Sequence, residues 1–111
     1  MEMTFEEFSA NNKKALSDTW GMTPKTFKTA EWFVSLMDTI GDMARHIRSV
    51  KFGEMNDKGK ESEHTKMYIE WVGEDLAGLF IQLDLLAQRL GTSSGELLEL
   101  HAADWWKRGG E

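Results

Sequence analysis

The chain has 111 residues, of which 41% are hydrophobic and 29% charged, a composition typical of a globular domain rather than a disordered segment. Its net charge of −6 argues against a protein that holds a nucleic-acid backbone by counterion release, although an acidic protein can bind a phosphate through a bridging metal. Cysteine is absent, which excludes disulfides and thiolate metal sites. Because the N-terminus has no leader pattern and no apolar run has the length of a membrane span, we expect one cytoplasmic domain covering residues 1–111.

Two helices are predicted in the first half of the chain. Thr4 and Glu7 have the spacing of a capping box, so a first helix should cover about residues 5–18, with residues 20–22 as a break. Thr23 before Pro24 is typical of a helix start, and a second helix should extend to about residue 50. Its apolar residues alternate at spacings of three and four, which predicts lengthwise packing against another helix. These residues are Phe33, Leu36, Ile40, Met43, Ile47 and Val50.

Two more helices are predicted after a polar connection over residues 53–62. A third helix over residues 63–91 repeats the same apolar spacing, so it is the natural antiparallel partner of the second. Its second half is apolar nearly all round, which favours self-association. Ser93 and Glu96 form a second capping-box pattern that opens a short fourth helix. The sequence therefore predicts an all-α, four-helix bundle-like domain with two long central helices.

Four acidic residues lie near the middle of the two long helices. Asp42 lies on the flank beside the apolar seam of the second helix, and Asp75 lies on the same flank of the third. On the outer side of these flanks, Asp38 directly precedes the flank residue Thr39, and Glu74 directly precedes Asp75. Carboxylate oxygens are the ligands that Mg²⁺ prefers, so these four residues are candidate metal ligands. Two solvated helix flanks are the alternative interpretation.

The same flanks carry side chains that could contact a nucleotide. Trp32 and Trp71 could stack on a base, although burial at a helix interface is the more common role of such residues. His46 follows Asp42 by one turn and could be a metal ligand or a proton carrier. A lone histidine on a polar flank is more often simply solvated.

Three stretches of the sequence carry a family resemblance: MTFEEF at the start, then LMDTIGDMA, then EDLAGLFIQLDLLAQRLG. The chain resembles the MazG-like all-α nucleoside triphosphate pyrophosphohydrolases, which typically have LxEExGELA and EELxDxLxxLxxLAxxLG at the second and third places. The resemblance implies the MazG fold. It also implies hydrolysis of a nucleoside triphosphate, deoxynucleoside triphosphate or related nucleotide to the monophosphate and pyrophosphate, with Mg²⁺ as the cofactor and Mn²⁺ as the alternative metal. It also implies a homodimer or tetramer with sites near the subunit contacts.

The resemblance places the metal-ligand positions of the family on four residues of this chain. On helix 2 these are Thr39 and Asp42, and on helix 3 they are Asp75 and Gly78. Two of the four carboxylates that the family has at these positions are therefore absent.

The remaining acids and the last helix complete this interpretation. Asp38 and Glu74 would be displaced substitutes for the two absent ligands, and Lys107 and Arg108 are candidates to face phosphate. Two hypotheses follow. The chain is either an active pyrophosphohydrolase or a degenerate relative that acts as a nucleotide-binding or protein-interaction module without turnover.

Overall fold

The computed structural model describes the backbone of residues 2–56 and 61–109, and the side chains in those ranges except 52–56 and 61–62. The described residues form five α-helices and one π-helical segment and include no strand, which confirms the all-α prediction. No helix among them is long and apolar enough to cross a membrane. In chain order the elements are α1 (Phe5–Trp20), α2 (Thr29–Asn56), α3 (Glu61–Met67), the π-helical segment (Tyr68–Val72), α4 (Gly73–Arg89) and α5 (Ser94–Lys107).

The chain divides into two compact units. The first combines the residues up to Thr29 with those from Ile81 onward, and the second is Ala30–Phe80. The boundary falls inside α4, so this helix contributes residues to both units.

In the first unit, α1 begins at the predicted capping box. The Glu7 amide donates to Thr4 Oγ1 over 3.0 Å, and the Glu7 carboxylate accepts from the Thr4 amide over 3.4 Å. The helix continues two residues past its predicted end, and Trp20 is its last residue rather than part of a break. Gly21 ends it at φ 63°, a left-handed conformation that glycine adopts at little energetic cost.

Thr23 and Pro24 form a turn and do not open a long helix as predicted. The Thr23 amide donates to Thr26 Oγ1 over 2.9 Å, and the Thr26 amide donates back to the Thr23 carbonyl over 3.0 Å. The prediction was wrong because a proline that fits the first position of a helix fits position i+1 of a β-turn equally well. Helix α2 begins at Thr29 and ends at Asn56, so residues 53–56 are helical rather than loop. Residues 57–60 of the predicted loop lie outside the described residues.

The second capping-box pattern is confirmed for one of the two hydrogen bonds that it predicts. The Glu96 amide donates to Ser93 Oγ over 3.3 Å, which makes Ser93 the N-cap of α5. The Glu96 carboxylate accepts from the Thr92 hydroxyl over 2.8 Å instead of from the Ser93 amide. Helices α1 and α5 approach closely nearby, because a Cβ on Gly95 would lie 2.9 Å from the Cβ of Phe5.

Each predicted apolar seam consists of two alternating sets of residues, and only one set in each seam faces inward. On α2, Leu36 and Val50 are buried, whereas Phe33, Ile40 and Ile47 are exposed. The seam of the third predicted helix divides in the same way into two sets. Val72, Leu79 and Leu86 are half-buried, and Ile69, Leu76, Leu83 and Leu90 are exposed.

The third predicted helix is one helical run with an interrupted register. Met67 and Gly73, which border the π-helical segment, both have right-handed α-helical backbone angles, so α3, the segment and α4 are continuous. A π-helical turn contains an extra residue compared with an α-helical turn. The apolar spacing of the sequence therefore does not describe a single regular α-helix over residues 63–91.

Candidate functional site

Two contacts show how α2 and α4 pair within the second unit. A Cβ on Gly78 would lie 3.9 Å from Cγ2 of Thr39, and His46 contacts Asp75. The residue number rises along α2 as it falls along α4, so the two helices are antiparallel, as predicted. The contact runs through residues that the sequence pattern assigned to the flank of the seam. Thr39 and Gly78, two of the metal-ligand positions implied by the family resemblance, thus face each other. We call the antiparallel pair of α2 and α4 the hairpin.

His46 of α2 and Asp75 of α4 form a close polar contact between the two helices. His46 Nδ1 lies 2.6 Å from Asp75 Oδ2, and the side chains are 42% and 15% exposed. Because an ionised carboxylate only accepts, Nδ1 carries the proton and donates it, which leaves the lone pair of Nε2 free when the imidazole is neutral. His46 is therefore partly exposed to solvent and is also paired with Asp75.

Trp71 lies beside this pair. Its ring centroid is 6.0 Å from that of His46, with the two planes tilted by 48°. Trp71 is 39% exposed and Trp32 is half-buried, so each leaves part of its indole accessible. Stacking of either side chain on a base stays a prediction.

The other candidate acids share one side of the hairpin. Because each α-helical residue turns about 100°, Asp38 and Asp42 point roughly 50–90° away from the contact residues of α2, and Glu74 points roughly 70° away on α4. In an antiparallel pair these rotations have the same sense, so all three carboxylates face the same way. We call this surface, formed by Asp38, Asp42 and Glu74, the acidic side.

The three carboxylates of the acidic side are exposed to solvent. Asp42 forms an ion pair with Arg45, in which both side chains are more than half exposed. Among the described residues, no group of three or more His, Cys, Asp or Glu side chains is close enough to hold a metal. Mg²⁺, however, commonly binds one or two carboxylates together with substrate phosphates and water. The residues present therefore fit a Mg²⁺ that arrives with a triphosphate, and they do not fit a preformed metal cage.

Comparisons with protein families, curated proteins and solved structures gave no match to this chain.

The two basic candidates lie at the end of α5, in the first unit. Lys107 is the last residue of α5, and Arg108 caps it, with its amide donating to the Asp104 and Trp105 carbonyls. Both side chains are exposed. Their predicted role in facing phosphate stays a prediction.

The sequence interpretation missed the most completely buried charge of the described residues, Asp84 on α4. Its carboxylate is 0% exposed and accepts hydrogen bonds from α1, α4 and α5. The donors are Ser9 Oγ (2.7 Å), Asn12 Nδ2 (2.9 Å), Gln88 Nε2 (3.0 Å), Ser94 Oγ (2.5 Å) and the Ser94 amide (3.1 Å). The available signal was a lone aspartate within the apolar run LFIQLDLLA, where an unpaired charge would be costly.

Asp84 stays ionised although it is buried. Burial alone would raise the pKa of its carboxyl, but the hydrogen bonds from the Ser94 side chain, Asn12, Ser9 and the Ser94 amide outweigh burial and lower the pKa to about 2. The carboxylate also lies at the N-terminus of α5, where the helix dipole favours negative charge. Every donor belongs to the first unit, so we assign Asp84 to joining three helices rather than to the candidate site.

Proposed function

We propose that this chain is a MazG-like pyrophosphohydrolase that takes the Mg²⁺ complex of a nucleoside triphosphate, or of a related nucleotide, on the acidic side of the α2–α4 hairpin. The observation that carries the proposal is the His46–Asp75 pair, which holds a proton acceptor at the contact between the two helices. Asp38, Asp42 and Glu74 offer carboxylates to the incoming Mg²⁺ on the adjoining surface. The expected cytoplasmic location and self-association belong to the same proposal.

The proposed reaction uses His46 to accept a proton from water. The water oxygen forms a bond to the α-phosphorus as the bond from that phosphorus to the bridging oxygen of the β-phosphate breaks. Pyrophosphate leaves with the electron pair, and the proton of the water passes to Nε2 of His46. Asp75 keeps Nδ1 protonated, so that Nε2 is the basic nitrogen. The bound Mg²⁺ supplies charge neutralisation on the phosphates.

Aromatic residues of the second unit would assist binding. Trp71, whose ring centroid lies 6.0 Å from that of His46, would contact the base or ribose of a bound nucleotide, and Trp32 is the second aromatic candidate. Lys107 and Arg108 are retained as candidates to contact phosphate.

A panel of ribo- and deoxyribonucleoside triphosphates incubated with the protein and Mg²⁺ or Mn²⁺ tests the activity, with release of pyrophosphate as the readout. We expect His46→Gln to reduce the rate by at least about 100-fold, because general-base catalysis typically contributes that much. His101→Gln, a change at an exposed histidine of α5, is the matched control and should leave the rate unchanged. If no nucleotide yields pyrophosphate, the enzyme proposal fails.

The positioning role of Asp75 has a readout that needs no turnover. The ¹⁵N shifts of the His46 ring at high pH should show Nδ1 protonated in the natural chain. In Asp75→Asn the amide group can donate to Nδ1, so the tautomer should change to Nε2–H. If the natural chain already has the Nε2–H tautomer, the assigned role of Asp75 is wrong.

One observation favours a second function, that of a nucleotide-binding or protein-interaction module without turnover. Thr39 and Gly78 face each other at two positions where the family has carboxylates. The Gly78→Asp variant distinguishes the two functions. A side chain can be accommodated there, because a Cβ at position 78 would lie 3.9 Å from Cγ2 of Thr39, an ordinary contact distance. For an active site we expect the added carboxylate to raise Mg²⁺ affinity by about 10-fold. A chain that binds nucleotide calorimetrically but releases no pyrophosphate, with or without this change, would be the module.

A further inference from the structure

The imidazole of His46 offers one of its two nitrogens for reaction. Nδ1 donates its proton to Asp75 Oδ2 over 2.6 Å, so the lone pair is on Nε2. The two nitrogens lie on opposite edges of the ring, and Nε2 therefore points away from the carboxylate. Asp75 is largely shielded from solvent, whereas the His46 side chain is 42% exposed. His46 thus has an accessible, unprotonated nitrogen in an orientation that its partner fixes, which is the arrangement of an activated nucleophile.

We propose that Nε2 of His46 accepts a phosphoryl group from an acyl phosphate. The lone pair of Nε2 forms a bond to phosphorus as the bond from phosphorus to the acyl oxygen breaks, and the carboxylate of the donor leaves with the electron pair. The inference goes beyond the proposed function, because Nε2 bonds to phosphorus instead of taking a proton from water. It requires no nucleotide.

Asp75 stabilises the phosphorylated ring as well as orienting the free one. When Nε2 holds the phosphoryl group and Nδ1 keeps its proton, the ring carries a positive charge. The carboxylate of Asp75 offsets this charge through a hydrogen bond that is then charged on both sides and therefore stronger. Because the neutral ring has no such charge, the interaction strengthens as the phosphorus–nitrogen bond forms.

A guanidinium lies on the same face of α2 as His46. Asp42 precedes His46 by four residues, and residues four apart are neighbours on one face of a helix. Arg45 forms its ion pair with Asp42, which holds the guanidinium on this face and neutralises the carboxylate next to His46. The ion pair uses only some of the five guanidinium N–H groups, so others are left to donate to a phosphoryl oxygen.

Incubation of the full chain with acetyl phosphate and Mg²⁺, followed by mass spectrometry of its peptides at alkaline pH, tests the proposal. A phosphorus–nitrogen bond survives alkali and is labile in acid, which distinguishes it from a phosphorylated hydroxyl. The chain has three histidines, and we expect the phosphoryl group on His46 rather than on exposed His101 or buried His64. NMR of the labelled chain should show the phosphorus on Nε2, and His46→Gln should abolish the labelling.

Asp75→Asn tests the contribution of the carboxylate. Labelling of His46 should fall at least about 10-fold, because the amide favours the other tautomer and cannot offset the charge of the ring. Glu70→Gln is the matched control, since it removes one carboxylate from the same helical run, where Glu70 lies 3.8 Å from Lys66, and labelling should be unchanged. The comparison of His46 with His101 needs no variant, so it tests the proposal even if Asp75→Asn does not fold.

Three results would each overturn the proposal: no phosphoryl group on His46, equal labelling of His46 and His101, or equal labelling of folded Asp75→Asn and Glu70→Gln. The release of pyrophosphate from nucleotides is a separate measurement. Release by a chain that acetyl phosphate does not label would refute this inference and leave the proposed function standing. Labelling of His46 without release from any nucleotide would support this inference although the proposed enzyme function had failed.

Discussion

Replacing Asp84 with Asn removes one buried charge while keeping the shape of the side chain. In the natural chain, Ser9 and Ser94 donate to one carboxylate oxygen, and Asn12 and Gln88 donate to the other. An asparagine amide can still accept from one pair, but its NH₂ group meets the donors of the other pair. The change therefore removes a charge from the N-terminus of α5 and leaves buried donors without an acceptor.

The pKa of Asp84 gives the size of the charge effect. Its shift from 3.8 to about 2 corresponds to about 2 kcal/mol of folding free energy at pH 7. Mispaired donors add about 1 kcal/mol, so Asp84→Asn should be destabilised by about 3 kcal/mol and its Tm lowered by about 10 °C. Because the folded-state pKa is lowered, this stabilisation is complete above pH 4 and is lost as the pH falls toward 2.

Urea unfolding followed by circular dichroism, at one protein concentration, measures this difference. The gap in free energy of unfolding between the natural chain and Asp84→Asn should be largest at pH 7 and should narrow at pH 3. Asp18→Asn is the control, since Asp18 forms only an exposed pair with Lys14 and should matter by less than about 0.5 kcal/mol. A gap below about 1 kcal/mol at pH 7, or one that stays constant down to pH 3, would refute the assigned role of Asp84.

Three glycine substitutions test local features of the fold by the same urea assay. Gly21→Ala should lower the free energy of unfolding by about 1 kcal/mol, because φ at this position is 63°. Gly73→Ala should be neutral or stabilise by up to about 1 kcal/mol, because the φ of −61° at Gly73 is helical. Both sites have open space around a Cβ, so equal effects of the two substitutions would contradict the backbone explanation. Gly95→Ala should lower the free energy of unfolding by about 1–3 kcal/mol, because its Cβ would lie 2.9 Å from the Cβ of Phe5. Adding Phe5→Ala to the same chain should not relieve this contact, since alanine keeps the Cβ.

The parts of the fold that depend on local chemistry could be predicted from the sequence. The hydroxyls of Thr4 and Ser93 cap the helices that follow them, because this interaction needs only residues three positions apart. The prediction at Pro24 was wrong because its fixed φ suits a turn and a helix start alike. The partners of Asp84 could not be predicted, since Ser9 and Ser94 come from separate parts of the chain.

Which faces of α2 and α4 contact each other could not be predicted, for a reason that also bears on function. Apolar residues such as Phe33 and Leu36 fill both seam positions, so hydrophobicity alone does not choose which of them faces the partner helix. The helices meet instead where Thr39 opposes Gly78, and the small volume of these residues lets the backbones approach. The same two residues stand where the resemblance implies carboxylates. The close pairing of α2 and α4 and the absence of the carboxylates that the resemblance implies are thus linked at one contact. The same pairing brings His46 to Asp75, the pair on which the proposed chemistry depends.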